Sequence, residues 1–112
     1  ATTSLMKDVD AVFVPTDNTV ASTMTMIGEL SVEYKVPVIG GSTDMVDAGG
    51  LLTYGTNYEA LGRQTAKMAI KIIEGADPAE VAVEYPETVN LHVNEEMAKK
   101  LGIDVSKLSV EE

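Results

Sequence analysis

The sequence has no cysteine and no tryptophan, and only one histidine and one phenylalanine. Without thiols there are no disulfides, no thiolate nucleophile and no Cys-ligated zinc, although a Cys-free chain fits either side of a membrane. Cations are scarce too: 8 Lys and Arg stand against 18 Asp and Glu, a formal net charge of −10. Nucleic acids and anionic lipid surfaces are held by clustered cations, so this balance argues against both as partners. No apolar run approaches the ~20 residues of a membrane-spanning helix. The opening ATTSLMKDVD lacks the basic start and apolar core of a signal peptide. It reads instead as the tail of a helix, with Leu5 and Met6 adjacent and Lys7 in the last turn, which suggests a fragment of a longer chain.

What is present suffices for one small domain: 112 residues, 45% hydrophobic, with Val, Ile, Leu, Ala and Met forming the core because aromatics make up only 4%. VDAVFVP (9–15) is a near-continuous β-branched and aromatic run closed by a turn, the pattern of a strand buried on both faces of a parallel sheet. Val20, Met24, Ile27, Leu30 and Tyr34 follow at helical spacing. VPVIGG (36–41) is a second buried strand, 42–50 a loop with about one helical turn, and LLTYG (51–55) a third strand. Met24 and Met26 are expected to fill the core.

The next helix has the clearest signals. Thr56 stands three residues before Glu59, a capping box, and Tyr58, Leu61, Met68, Ile72 and Ile73 form its apolar face before Gly75 and Pro78 end it. Residues 81–93 read as extended chain interrupted by Pro86. Asn94 caps a last helix with Glu95 and Glu96 in its first turn, Lys99 and Lys100 in its last and Gly102 after it. The end, from Asp104, is expected to fray. This alternation predicts an α/β parallel sheet of Rossmann-like or flavodoxin-like build.

In such sheets ligands bind beyond the carboxyl ends of the strands. Those ends read PTDN, GGSTD and GTNY, each with small polar side chains beside a helix start. Asn18 or Thr19 suffices as the cap of the first helix, which leaves Asp17 free to meet a ligand ammonium or hydroxyl. Gly40 and Gly41 allow a tight turn. Catalytic constellations are missing: GGSTD fails G-x-S-x-G at Asp44, and no phosphate-cradling glycine motif occurs. His92 lies in a strand-like stretch away from the polar edge. Asp44 and Asp47 read as solvated acids, so neither a metal nor a cofactor is implied.

DAVFVPTDNTVAS, VPVIGG and LLTYGTNYEALGRQTAKMAIKIIEGADP resemble the C-terminal part of the substrate-binding proteins of ABC importers. These are two-lobed, type I periplasmic binding proteins, with members that bind tryptophan and other aromatic amino acids. The resemblance runs from about Val9 to Asp104. It implies a solute receptor, not an enzyme, that closes on a small molecule between two α/β lobes and delivers it to a membrane permease. It further implies an extracytoplasmic, lipid-tethered protein. Residues 1–56 would be the ligand-facing part of the second lobe and 57–80 a crossover helix packing on the absent N-terminal lobe. Residues 81–112 would be a returning strand, short helix and frayed tail. The resemblance points to Thr16, Asp17, Asn18, Ser42, Thr43, Thr56, Asn57 and Tyr58 as ligand-binding. Asp17 would take an ammonium group, Ser42 and Thr56 would give neutral hydrogen bonds, and Tyr58 a ring face or hydroxyl. Core packing of Tyr58 is the alternative. Half a cleft lacks the wall that excludes water, so poor affinity is expected of it. The helix at 57–75 lacks its partner surface, so the chain is expected to expose apolar area there or to self-associate. Three other readings remain: a receiver-type signalling domain with Asp17 as phospho-acceptor, a simple acid–base enzyme using Asp17 and Asp44, and a sugar- or nucleoside-binding lobe. The first lacks a lysine at the right strand end, since Lys35 precedes its strand.

Overall fold

The computed structural model describes residues 1–108. In chain order it contains α1 (Thr2–Leu5), β1 (Val12–Val14), α2 (Asn18–Ala21), α3 (Met24–Tyr34), β2 (Val38–Gly40), α4 (Thr43–Ala48), β3 (Leu52–Thr56), α5 (Tyr58–Ile73), β4 (Val89–Val93) and α6 (Glu95–Leu101). The strands form one sheet in the order β1-β2-β3-β4. β1, β2 and β3 are parallel, with Phe13 opposite Ile39 and Ile39 opposite Leu52. β4 runs against β3: the Asn57 N–H donates to the Thr88 carbonyl at one end, and the Asn94 N–H to the Leu51 carbonyl at the other. The α/β, mostly parallel architecture expected from the strand–helix alternation is therefore present.

The chain divides into two compact units, one of Ala1–Gly55 with the chain from Asn90 onward, the other of Thr56–Val89. In the first, α3 and α4 pack on β2, and α6 packs on α3. Val12, Val14 and Val38 bury against Met24, Ile27 and Met45, while Leu51, Met97 and Ala98 form a second cluster. The expectation of strands buried on both faces is corrected. β1 alternates buried, exposed, buried, with Phe13 68% exposed, and Tyr54 of β3 is 56% exposed. Period-two burial means that, among the described residues, one sheet face is covered and the other is partly open, with Phe13 and Tyr54 exposed and Ile39 and Leu52 half-buried between them. Met26 is also corrected, being exposed, whereas Met24 is fully buried.

The single helix expected from Val20 is two. The Ser22 hydroxyl donates to the Thr19 carbonyl and the Thr23 hydroxyl to the Val20 carbonyl, so side chains compete for the backbone where α2 and α3 part. The apolar stripe survives the break, since Val20, Leu30 and Tyr34 pack on the core that Met24 and Ile27 enter. The loop expected at 42–50 contains the six-residue α4 rather than one turn. Gly75 and Gly102 take positive φ after α5 and α6, as helix-ending glycines do.

In the second unit, α5 buries a polar residue rather than its apolar stripe. Gln64 is 9% exposed. Its amide nitrogen donates to Glu84 Oε2 (3.0 Å) and the Tyr85 carbonyl (2.9 Å), and its Oε1 accepts from the Glu87 N–H (3.3 Å). The extended chain read over 81–93, interrupted at Pro86, contains one strand, Val89–Val93, where the returning strand was expected. Before it, the Tyr85 carbonyl and the Glu87 N–H are taken up by Gln64. Of the expected frayed tail, Asp104–Leu108 is turned, with Asp104 accepting from the Ser106 N–H and hydroxyl; residues 109–112 lie outside the described residues.

Candidate functional site

Because β1 and β2 are parallel and in register to their last residues, Val14 opposite Gly40, the chain leaves both at the same edge. Pro15, Thr16 and Asp17 lead from β1 into α2; Gly41 and Ser42 lead from β2 into α4. The two connections touch. The Thr16 hydroxyl donates to the Gly41 carbonyl at 2.9 Å. A Cβ on Gly41 would stand 2.5 Å from the Thr16 nitrogen. On the other side, a Cβ on Gly55 of β3 would meet the Thr43 methyl at 2.8 Å. The rim of the first unit is thus continuous from the β1 connection through the β2 connection to Gly55 of β3.

Asp17 is exposed and extended, and its Oδ1 accepts the Val20 N–H at 2.9 Å. It is the N-cap of α2, which corrects the expectation that Asn18 or Thr19 serves as cap and Asp17 stands free. The cap occupies one carboxylate oxygen and leaves the other available. Asn18 and Thr19 are the first residues of α2, both exposed. Ser42 has the extended backbone of an N-cap, yet its hydroxyl makes no cap bond. The residue is only 8% exposed; its carbonyl accepts the Val46 N–H at 3.2 Å, while its hydroxyl makes no hydrogen bond to another described residue. Among the described residues no side-chain oxygen or nitrogen is both buried and unpartnered, so the Ser42 hydroxyl reaches solvent and is open to a ligand. Thr43 is half-buried beside Gly55.

Thr56, Asn57 and Tyr58 open the second unit. The capping box assigned to Thr56 is corrected: Asn57 is the N-cap of α5 and accepts the Ala60 N–H at 3.0 Å. Thr56 is the last residue of β3 and half-buried. Tyr58 is 60% exposed, so it is not a core residue in this unit.

His92 lies in β4, as read, but it is not an idle strand residue. Its Nε2 is 2.6 Å from Asp47 Oδ1, so Asp47 is paired rather than merely solvated. Asp44 is exposed in the first turn of α4. Lys35 donates to the Lys100 carbonyl, away from Asp17. Among the described residues no group of three or more His, Asp or Glu is placed to hold a metal. A hollow of about 500 Å³ opens between α3, the end of α4 and α6, lined by Gly28, Asp47, Asn94 and Met97 among others. It contains none of the rim residues, and Asn94 there spends both ends of its amide on the backbone.

Gly55, and the close approach that Gly41 permits, are the site features that the sequence reading missed; Gly41 was read only as allowing a tight turn. Both have ordinary φ, and close approach rather than backbone conformation requires them. A glycine at a strand end, one or two residues before a Ser or Thr, was the available signal.

The sequence matches the family described as ABC transporter substrate binding protein over residues 1–111. A tyrosine-binding protein of Clostridioides difficile (strain R20291) is 32% identical over 111 residues, which are 99% of this chain and 32% of that protein. The ligand-free, open structure of a substrate-binding protein with adhesive properties from Clostridium difficile superposes with a TM-score of 0.80 at 38% identity, covering 98% of this chain and 37% of that one. A Streptococcus pneumonia ABC domain in complex with L-Trp superposes with a TM-score of 0.80 at 33% identity, covering 95% and 36% respectively. The chain therefore spans about a third of the length of the relatives it matches.

Proposed function

Since the chain belongs to the family of ABC transporter substrate-binding proteins, we propose that it is part of a solute receptor that binds a free amino acid, aromatic in side chain. The observation that carries the reading is the pinned pair of strand ends. One free carboxylate oxygen, on Asp17, and one unpartnered hydroxyl, on Ser42, belong to connections held together by the Thr16–Gly41 bond. In this proposal Asp17 takes the ligand ammonium through a charge-assisted hydrogen bond and Ser42 gives a neutral one. Asn18 and Thr43 flank them. Thr56 and Tyr58 are proposed on their own chemistry, a hydroxyl and an exposed ring; Asn57, between them, contributes as the cap of α5. Support for an aromatic amino acid comes from the relatives, one named for tyrosine and one holding L-Trp. Delivery to a membrane permease from an extracytoplasmic, lipid-tethered position is the physiological part of the same proposal.

Calorimetry on the full-length protein with each of the twenty amino acids tests it. The expected result is heat with an aromatic amino acid. Asp17→Asn keeps the α2 cap, since Asn caps as well as Asp, but removes the charge. It should weaken binding about tenfold or more, the value of a hydrogen bond to a charged group. Wild-type affinity in Asp17→Asn would remove the ammonium role. No heat with any amino acid would overturn the amino-acid reading and favour a sugar or nucleoside.

A further inference from the structure

Thr16 and Gly41 each stand one residue before a proposed ligand group, Asp17 and Ser42 respectively. The Thr16 hydroxyl is already committed: it donates to the Gly41 carbonyl at 2.9 Å. The fit between the two residues leaves no room for a side chain at position 41. A Cβ there would lie 2.5 Å from the Thr16 nitrogen, 2.6 Å from its Oγ1 and 2.9 Å from the Pro15 carbonyl carbon. Two of those three atoms are backbone, which cannot swing aside as the end of a flexible side chain does. Gly41 is not among the residues with positive φ, so conformation does not explain it.

We infer that Thr16 and Gly41 form a latch that fixes the spacing between Asp17 and Ser42, and that Thr16 is a positioning residue rather than a ligand contact. The inference rests on the proposed binding role of this rim. The physical argument concerns the order of events. Asp17 and Ser42 lie on separate connections, and a ligand that bridges them must otherwise order both. A hydrogen bond made before the ligand arrives removes that cost from the binding step. Ser42 depends on the latch more than Asp17 does. Asp17 is held by its own cap to Val20, whereas the Ser42 side chain has no cap bond to hold it. Gly41 joins Ser42 directly to the latched carbonyl.

The test uses the full-length protein with L-tyrosine and L-tryptophan as probes. Thr16→Val removes the donor and keeps the shape; Thr16→Ser keeps the donor. Thr16→Val should weaken binding by about three- to tenfold, the range of one neutral hydrogen bond, and Thr16→Ser should restore most of it. Two further readouts separate positioning from contact. First, hydrogen–deuterium exchange by peptides covering residues 38–46 should rise in ligand-free Thr16→Val and not in Thr16→Ser. Second, Thr16→Val and Ser42→Ala should be coupled: with the latch gone, losing the Ser42 hydroxyl should cost less than it does alone. Gly41→Ala should repeat the Thr16→Val pattern if it folds, and the Thr16 variants decide the matter if it does not. Unchanged exchange in Thr16→Val, or multiplicative losses with Ser42→Ala, would overturn the latch and make Thr16 a direct contact. If the unaltered protein binds neither amino acid, the aromatic amino-acid reading fails on that result alone. The exchange measurement still decides whether the latch exists.

Discussion

Asn94 does two jobs with one side chain. Its Oδ1 accepts the Met97 N–H, capping α6, and its Nδ2 donates to the Val46 carbonyl at the end of α4, each at 3.0 Å. The residue is half-buried, so water does not fully replace either bond. Asn94→Ala should cost about 1–3 kcal/mol, a lost cap plus a lost partner for a shielded carbonyl. Asn94→Asp keeps the cap and loses the donor, so chemical denaturation should place it between the two. The cap was legible in the sequence because Asn94 is followed by two acids and a well-marked helix. At the other caps the sequence was ambiguous. PTDN offers three residues in a row able to cap, and TNYE offers two. Which one caps is set by where the parallel strand releases the chain, and that is fixed by register with a neighbour rather than by local letters. This ambiguity also hid the double role of Asp17, whose second oxygen is available only because Oδ1 alone makes the cap.

At the scale of elements, Gln64 decides how the segment before β4 lies. Three hydrogen bonds from one side chain hold Glu84, Tyr85 and Glu87 against α5. Gln64→Leu keeps the volume but leaves the Tyr85 carbonyl and Glu87 N–H without their partner. It should destabilise the second unit by about 1–3 kcal/mol, with faster hydrogen exchange at the Glu87 amide. A polar residue in the middle of an apolar helical stripe carries no local sign of this, so the break at Pro86 was legible in the sequence but the anchoring of the segment on Gln64 was not. In α6 the Lys100 ammonium, hydrogen-bonded to Glu96 at 2.6 Å, holds the Glu96 carboxyl below its ordinary range. A lowered carboxyl contributes at neutral pH, above its unfolded value, and its contribution disappears as pH falls through the folded value. The pair is exposed, so the contribution is small. Lys100→Met should move the Glu96 midpoint upward in an NMR titration.

For the molecule as a whole, the contrast between the two sheet faces governs stability and solubility separately. A parallel sheet usually has both faces covered, and the apolar runs at 9–15 and 36–41 fit that rule in their letters. Composition alone does not say which neighbours are at hand, so the open face was not legible. On the covered face, Met24 is fully buried among Val12, Val14 and Val38. Met24→Ala should cost about 2–5 kcal/mol. On the open face, Phe13 and Tyr54 remain largely exposed, so removing them forfeits little buried area. The double variant Phe13→Ser/Tyr54→Ser should change stability far less than Met24→Ala does. Its effect belongs to association: this 112-residue chain should bind a hydrophobic dye and self-associate, and the double variant should lower both the dye fluorescence and the mass measured by light scattering. A second apolar group, Ile70 and Ile73 on α5, is also exposed and serves as the control. If Ile70→Ser/Ile73→Ser abolishes dye binding and restores a monomer while Phe13→Ser/Tyr54→Ser does neither, α5 rather than the open sheet face drives association.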